Sequence, residues 1–157
     1  MSKQPDIGEA LPTVAMTGAD GMPVAIGDFA DKPLVLFFYP KDDTPGCTTE
    51  NKDFSELAPA FAKAGVALLG VSKDPPAKHA KFVAKYGLIA PLASDAETGG
   101  LSDALGIWVE KSMYGRTYMG MERTTYLVDA GGKIARVWRK VKAKGHAAEV
   151  LEAAQNL

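Results

Sequence analysis

Six consecutive residues, Leu34–Val35–Leu36–Phe37–Phe38–Tyr39, are apolar or aromatic, and Pro40 ends the run. A segment this short with no polar alternation reads as a strand buried on both faces. Such a strand needs helices above and below its sheet, so this run alone points to an α/β chain. A second run, Val66–Ala67–Leu68–Leu69–Gly70–Val71, repeats the pattern.

Between the runs, Phe54, Leu57, Ala58 and Phe61 recur on one helix face, Gly65 supplies a stop, and Pro59 predicts a kink. Asp74 followed by Pro75 reads as the N-cap and first-turn proline of a helix reaching Tyr86, with Gly87 as its stop. A weaker helix is expected from Ser94 or Asp95 to about Gly106, against the propensities of Gly99 and Gly100. Residues 13–16 and 22–25 flank Gly18–Ala19–Asp20–Gly21 and read as an N-terminal β-hairpin. Thr124–Val128 and Ile134–Trp138 are two more strands, joined tightly through Asp129–Ala130–Gly131–Gly132. A last helix, about Gly145 to Asn156, buries Ala147, Val150, Leu151 and Ala154. The order predicts one domain over residues 1–157, a mixed sheet with helices on both faces.

Composition narrows the function. The chain of 157 residues is 46% hydrophobic and 24% charged, an ordinary globular balance that excludes a disordered or collagen-like protein. The run from Leu34 to Pro40 is far below the roughly 18 residues of a membrane span. A net charge of −1 gives no claim on nucleic acid. The local basic run Lys133, Arg136, Arg139, Lys140, Lys142 and Lys144 reads as a solvated strand edge and loop, with only Trp138 as an aromatic neighbour. Cys47 is the one cysteine, so neither an intrachain disulfide nor a thiolate-based zinc site can be built. Residues 1–11 lack the layout of a secretory signal, and the expected compartment is the reducing cytoplasm.

The chemistry concentrates in Tyr39-Pro40-Lys41-Asp42-Asp43-Thr44-Pro45-Gly46-Cys47-Thr48-Thr49-Glu50. It joins the C-terminal end of a buried strand to a helix, the junction at which ligands bind in open α/β sheets. Pro45 suits a first helical turn, which puts Cys47 at a helix N-terminus, where free N–H groups and the dipole favour an anion. A thiol of ordinary pKa, about 8.5, is only a few per cent ionised at pH 7. Making one almost wholly thiolate takes about 2.5 units, roughly 3.4 kcal/mol. A helix N-terminus supplies typically 0.3–1 kcal/mol and about 2 at best, so a further cation is required. Arg123 is the candidate, because it opens a strand ending near the same face. The polar, turn-forming neighbours of Cys47 argue against an inert buried cysteine.

Pro40-x-x-x-Thr44-x-x-Cys47 resembles the active-site signature of the peroxiredoxins. Thr44-Pro45-Gly46-Cys47-Thr48-x-Glu50 resembles their bacterioferritin-comigratory, Q-type branch. So do Arg123-Thr124-Thr125-Tyr126-Leu127-Val128-Asp129, the opening Gly8-x-x-Leu11-Pro12 and the hairpin Asp129-Ala130-Gly131-Gly132-Lys133-Ile134. The resemblance covers nearly the whole chain. It implies a thioredoxin-like three-layer α/β sandwich with a central mixed β-sheet and an N-terminal β-hairpin. It implies an antioxidant oxidoreductase, a thiol-specific peroxidase acting on hydrogen peroxide and organic hydroperoxides with no metal or organic cofactor. Cys47 is then the peroxidatic nucleophile, and Thr44 hydrogen-bonds the thiolate and the peroxide. Pro40 shields the sulfur from water, Arg123 polarises the peroxide and holds the sulfur anionic, and Glu50 supports from behind. Many members of this branch place a resolving cysteine five positions later, where this chain has Lys52. The expectation is therefore a one-cysteine mechanism, with the Cys47 sulfenic acid resolved by thioredoxin, by glutaredoxin with glutathione, or by a small thiol. The expected assembly is a monomer or weak homodimer.

Three other readings use the same residues. A hydrolase dyad would pair Cys47 with His79 or His146, both expected as solvated histidines on helix surfaces. A thiol–disulfide oxidoreductase would carry Cys-x-x-Cys, whereas Thr44 stands three positions before Cys47. A redox sensor would use the reactive thiol without turnover. Trp108, Met113, Tyr114, Tyr118, Met119 and Met121 are expected as core, or else as an apolar wall beside the site that favours organic hydroperoxides or a dimer contact.

Overall fold

The first apolar run forms β3 (Leu34–Phe38), and its alternate side chains feed two separate cores. Val35 and Phe37, continued by Tyr39, face one core; Leu34, Leu36 and Phe38 face the other. A strand apolar at every position has this consequence: both faces of its sheet must be covered. The computed structural model describes residues 5–12, 14–29, 31–95 and 100–157.

Before β3 come β1 (Met16–Gly18), β2 (Pro23–Val24) and a 3-10 turn over Ile26–Phe29. After it come α1 (Pro45–Lys63), β4 (Ala67–Ser72), α2 (Pro76–Tyr86), β5 (Leu92–Ser94), α3 (Leu101–Ala104), β6 (Trp108–Met113), β7 (Arg116–Met121), β8 (Thr124–Val128), β9 (Ile134–Trp138) and α4 (His146–Gln155). Seven strands form one mixed sheet in the order β2-β1-β5-β4-β3-β8-β9. The β3–β4 and β4–β5 pairs are parallel, and β3–β8 and β8–β9 are antiparallel. Phe54 and Phe61 of α1, Phe82 of α2 and Val150 of α4 fill the first core. Leu101 of α3, Leu105 and Ile107 fill the second. This is the expected three-layer sandwich, with the β1–β2 hairpin at its edge (Met16 opposite Val24).

Several boundaries differ from expectation. The first hairpin strand lies at 16–18 rather than 13–16, and Thr13 is outside the described residues. Pro59 lies on the exposed side of α1, which continues to Lys63. The helix expected from Ser94 or Asp95 does not start there. Ser94 closes β5, because Leu92–Ser94 pairs with Gly70–Ser72 of β4. Asp95 instead accepts the backbone N–H groups of Leu101 and Ser102 at 2.8 and 2.7 Å, tying down the short α3; residues 96–99 are outside the described set.

Residues 108–121 are mostly not core. They form a separate two-stranded hairpin turning at Tyr114–Gly115, both with positive φ (52° and 76°). Two consecutive positive φ values are what a tight two-residue hairpin turn requires. Met121 is buried, while Met113, Tyr114, Tyr118 and Met119 are exposed.

Candidate active site

The antiparallel β3–β8 register sets Phe38 opposite Thr124. The end of β3 therefore lies beside Arg123, the residue before β8, and the loop leaving β3 runs directly past it. Thr44 has extended backbone as the N-cap of α1 and Pro45 occupies the first turn, placing Cys47 in that turn. An extended N-cap and a proline whose missing N–H costs nothing there fix the helix start locally.

Cys47 is 1% exposed. Arg123 Nη2 donates toward its Sγ at 3.4 Å, and Nη1 donates to Glu50 Oε1 at 2.6 Å. Gly46 leaves room for this: a Cβ there would stand 3.1 Å from Nη2. Pro40 and Arg123 line an open cleft of about 510 Å³ with Val109, Lys111, Lys140 and Val141. Lys111 donates to the Met121 carbonyl at 2.5 Å; burial, then Arg123, pushes its pKa down, while the nearby Cys47 and Glu122 oppose this. Thr44 Oγ1 donates to the Lys41 carbonyl at 2.8 Å. The structure thus brings Cys47, Arg123, Glu50 and Gly46 into contact, with Pro40 at the cleft wall and the Thr44 hydroxyl turned to its own loop.

Two anchors hold the loop. Asp42 accepts from the Tyr39 hydroxyl at 2.6 Å, lies 2.7 Å from His79 Nδ1, and its backbone N–H donates to Asp74 at 2.8 Å. Burial, then the Asp42 carboxylate, pushes the Tyr39 phenol well above its ordinary pKa, so it remains a donor. Asp43, at φ 61°, accepts from Lys85 and from the Tyr86 hydroxyl of α2. Lys52, at the position where many of the branch carry a resolving cysteine, sits 5.8 Å over the Tyr86 ring.

Both histidines expected at the surface are buried, a correction with one cause: each lies on the apolar face of its helix, three or four positions from a core residue. His79 precedes Phe82, and His146 precedes Val150. Neither forms a dyad with Cys47: His79 is engaged by Asp42 and by the Ala93 carbonyl at 3.0 Å, and His146 Nε2 by Thr125 Oγ1 at 2.8 Å. His146 Nε2 also lies 3.9 Å from Glu50 Oε2, which has no hydrogen-bond partner. Burial raises the Glu50 pKa to about 7 against the pull of Arg123. Burial lowers that of His146 to about 4, with Glu149 opposing and Arg123 assisting. Sequence reasoning missed Lys111 and the burial of His146; the helical spacing of His146 from Val150 was the available signal, and Lys111 had none.

The AhpC/TSA family matches residues 7–137. The peroxiredoxin Bcp of Bacillus subtilis is 41% identical over 152 residues, covering 97% of this chain and 96% of that one. A Xylella fastidiosa PrxQ structure, a C47S mutant, superposes with a TM-score of 0.91 at 36% identity, covering 99% of this chain and 98% of that one. A Xanthomonas campestris bacterioferritin comigratory protein, whose structures address its alkyl peroxide reduction activity, superposes with a TM-score of 0.86 at 41% identity, covering 94% and 98%.

Proposed function

The chain belongs to the AhpC/TSA family, in its Bcp/PrxQ peroxiredoxin branch with a thioredoxin-like fold, and from that premise we propose how its own residues perform the chemistry. It is a thiol-dependent peroxidase for hydrogen peroxide and organic hydroperoxides, and with one cysteine it takes its resolving thiol from outside. The Cys47 thiolate attacks one peroxide oxygen. An S–O bond forms, the O–O bond breaks, and the electron pair leaves on the other oxygen, which takes up a proton to depart as water or alcohol. Charge moves from the sulfur to the leaving oxygen. A fixed guanidinium aimed at that axis stabilises the transition state more than the ground state.

The observation that carries this reading is Arg123 reaching Cys47 Sγ with one nitrogen and Glu50 with another. Glu50 holds the guanidinium in orientation. The Thr44 hydroxyl, which donates to the Lys41 carbonyl at 2.8 Å, reaches the sulfur or the peroxide by a change of rotamer about Cα–Cβ when these offer a charged acceptor. Pro40 lines the cleft beside Arg123, the position from which it would shield the sulfur from water, and Val109 and Val141 give an alkyl group apolar contact. The resulting sulfenic acid condenses with a reductant thiol, releasing water, and a second thiol frees Cys47. Thioredoxin, glutaredoxin with glutathione, or a small thiol fills that role. Residues 1–157 act as one domain, as a monomer or weak homodimer in the cytoplasm. Among the described residues no helix is long and apolar enough to cross a membrane.

The test is the rate at which one equivalent of hydrogen peroxide consumes the Cys47 thiol at neutral pH. The native protein is expected to react orders of magnitude faster than free cysteine. Arg123→Ala should lose about 10²–10³-fold, the usual cost of removing a preorganised donor. A native rate no faster than free cysteine overturns the assignment and moves a regulatory role to the front.

A further inference from the structure

Directly behind Arg123 lies a buried carboxylate whose second oxygen has no hydrogen-bond partner. Glu50 is wholly buried; Oε1 takes the guanidinium at 2.6 Å, and Oε2 is left without a hydrogen-bond partner, facing His146 Nε2 at 3.9 Å. An unpartnered oxygen is costly on a buried carboxylate and much less so on a carboxylic acid that can give its proton to a neighbour. His146 is such a neighbour. It is 4% exposed, held by Thr125 Oγ1 and set edge-on to the Phe54 and Trp138 rings.

We propose that Glu50 and His146 form a proton-holding pair behind Arg123. His146 positions Glu50, and the proton on Glu50 decides how much of the guanidinium's charge is left for the Cys47 sulfur and the leaving oxygen. The proposal rests on the assignment of Cys47 and Arg123 given above.

The physical steps are few. An ionised Glu50 draws Arg123's charge toward itself through the 2.6 Å contact. A protonated Glu50 neutralises nothing, so the guanidinium acts on the sulfur at full strength. An imidazole neutral and protonated on Nδ1 has one Nε2 lone pair, held at 2.8 Å by Thr125 Oγ1; the Glu50 proton takes it when the Thr125 hydroxyl rotates away and the carboxyl shifts by about 1 Å to close the 3.9 Å gap.

The charges around the pair are these. Glu50 faces Arg123 before β8, Cys47 and Asp53 on its own helix, and His146 on α4. His146 faces Glu149 on its own helix, together with Arg123 and Glu50. Burial dominates both, holding Glu50 near neutrality and His146 uncharged there.

The experiment is the second-order rate of Cys47 with hydrogen peroxide over roughly pH 5 to 9, the range spanning the groups involved. The expected native profile rises as the thiol ionises and then falls about tenfold on its alkaline side as Glu50 ionises, a fraction of the cost of deleting an oxyanion donor. Glu50→Gln should lose the alkaline fall. His146→Asn, whose amide can donate to Oε2 and whose smaller volume admits water, should move the fall to lower pH by about one unit or more. A purely structural His146 would leave that midpoint where it is. An unmoved midpoint in folded His146→Asn, or an alkaline fall kept by Glu50→Gln, overturns the proposal. Should His146→Asn not fold, carbon NMR titration of the Glu50 carboxyl in the native protein decides instead. A midpoint well above 7, beyond what burial against the pull of Arg123 gives, supports the pair, and one at or below 7 overturns it. A native thiol that reacts slowly at every pH sinks the Cys47–Arg123 assignment, while the carboxyl titration still reads the pair on its own.

Discussion

Two buried histidines face two buried carboxylates, His79 with Asp42 at 2.7 Å and His146 with Glu50 at 3.9 Å. The first pair is closed. Both Asp42 oxygens accept, from Tyr39 and toward His79, and both His79 nitrogens are engaged. The second is open, with Oε2 of Glu50 alone. The closed pair ties the loop leaving β3 to α2, so its work is geometric. The open pair lies behind the cation that touches the reactive sulfur, so its protonation is felt at the site. Burial alone does not make a functional titrating group; a buried carboxylate with one oxygen left unmatched does.

The largest expected effect comes from breaking the closed pair. Asp42→Ala removes the carboxylate shared by the Tyr39 hydroxyl and His79 Nδ1 and leaves them, in a dry interior, little beyond their long 3.5 Å contact with each other. It should cost about 3–5 kcal/mol in urea unfolding. A loss below about 1 kcal/mol would mean that water reaches this network and that the pair is not closed. Tyr39→Phe sharpens the point, since it removes one donor to Asp42 while keeping the ring. About 1.5–3 kcal/mol is expected for a hydrogen bond to a charged acceptor, with the Glu50 titration untouched.

The open pair is read through pH. Glu50 is raised from 4.5 to about 7, so the folded protein keeps a proton that the unfolded chain gives up. Its contribution is full below 4.5 and is lost as pH rises through 7. His146 is lowered from 6.5 to about 4, so its contribution is full above 6.5 and is lost as pH falls through 4. Between about 4.5 and 6.5 the two slopes oppose each other, and the native protein should show little net dependence from this pair. Glu50→Gln removes one slope. Its stability should fall on acidification from 6.5 toward 4, by up to about 1.4 kcal/mol per pH unit more steeply than native. Parallel curves for the two proteins would mean that the groups do not titrate in opposition.

How much of this the sequence disclosed follows from the range of the interactions. The reactive loop was legible because its signals are local: a strand ended by Pro40, a first-turn Pro45, and a cysteine among polar neighbours. Arg123 was legible because it opens a recognisable strand. The closed and open pairs were not, because burial of His79 and His146 depends on which face of a helix meets the sheet. Their Ala- and Lys-rich surroundings suggested solvent, although the spacing to Phe82 and Val150 carried the opposite signal. The β6–β7 hairpin was missed for a related reason. Its Met and Tyr residues look like core by composition, and only the Tyr114–Gly115 turn marks two strands that mostly face outward.

The smallest expected effect tests how firmly the open pair holds Arg123. An alanine Cβ at position 46 would meet Nη2 at 3.1 Å, closer than ordinary contact, and the neighbour there is the end of a flexible side chain. The guanidinium must give by a few tenths of an ångström. Its 2.6 Å contact with Glu50 is a short hydrogen bond to a buried carboxyl oxygen, whereas its 3.4 Å contact with the sulfur is longer, so the sulfur contact yields first. Gly46→Ala should therefore slow peroxide attack by roughly three- to tenfold, equivalent to about 0.7–1.4 kcal/mol in the barrier. Stability should hold or rise by up to about 1 kcal/mol, because alanine loses less backbone entropy than glycine in a helical turn. The two readouts thus move in opposite directions. In Glu50→Gln, where the carboxyl tether is replaced by a weaker amide acceptor, the guanidinium moves more freely as a unit and the same alanine should cost less. An equal penalty in both backgrounds would show that Glu50 does not hold Arg123 in place, and the open pair would lose its connection to the sulfur.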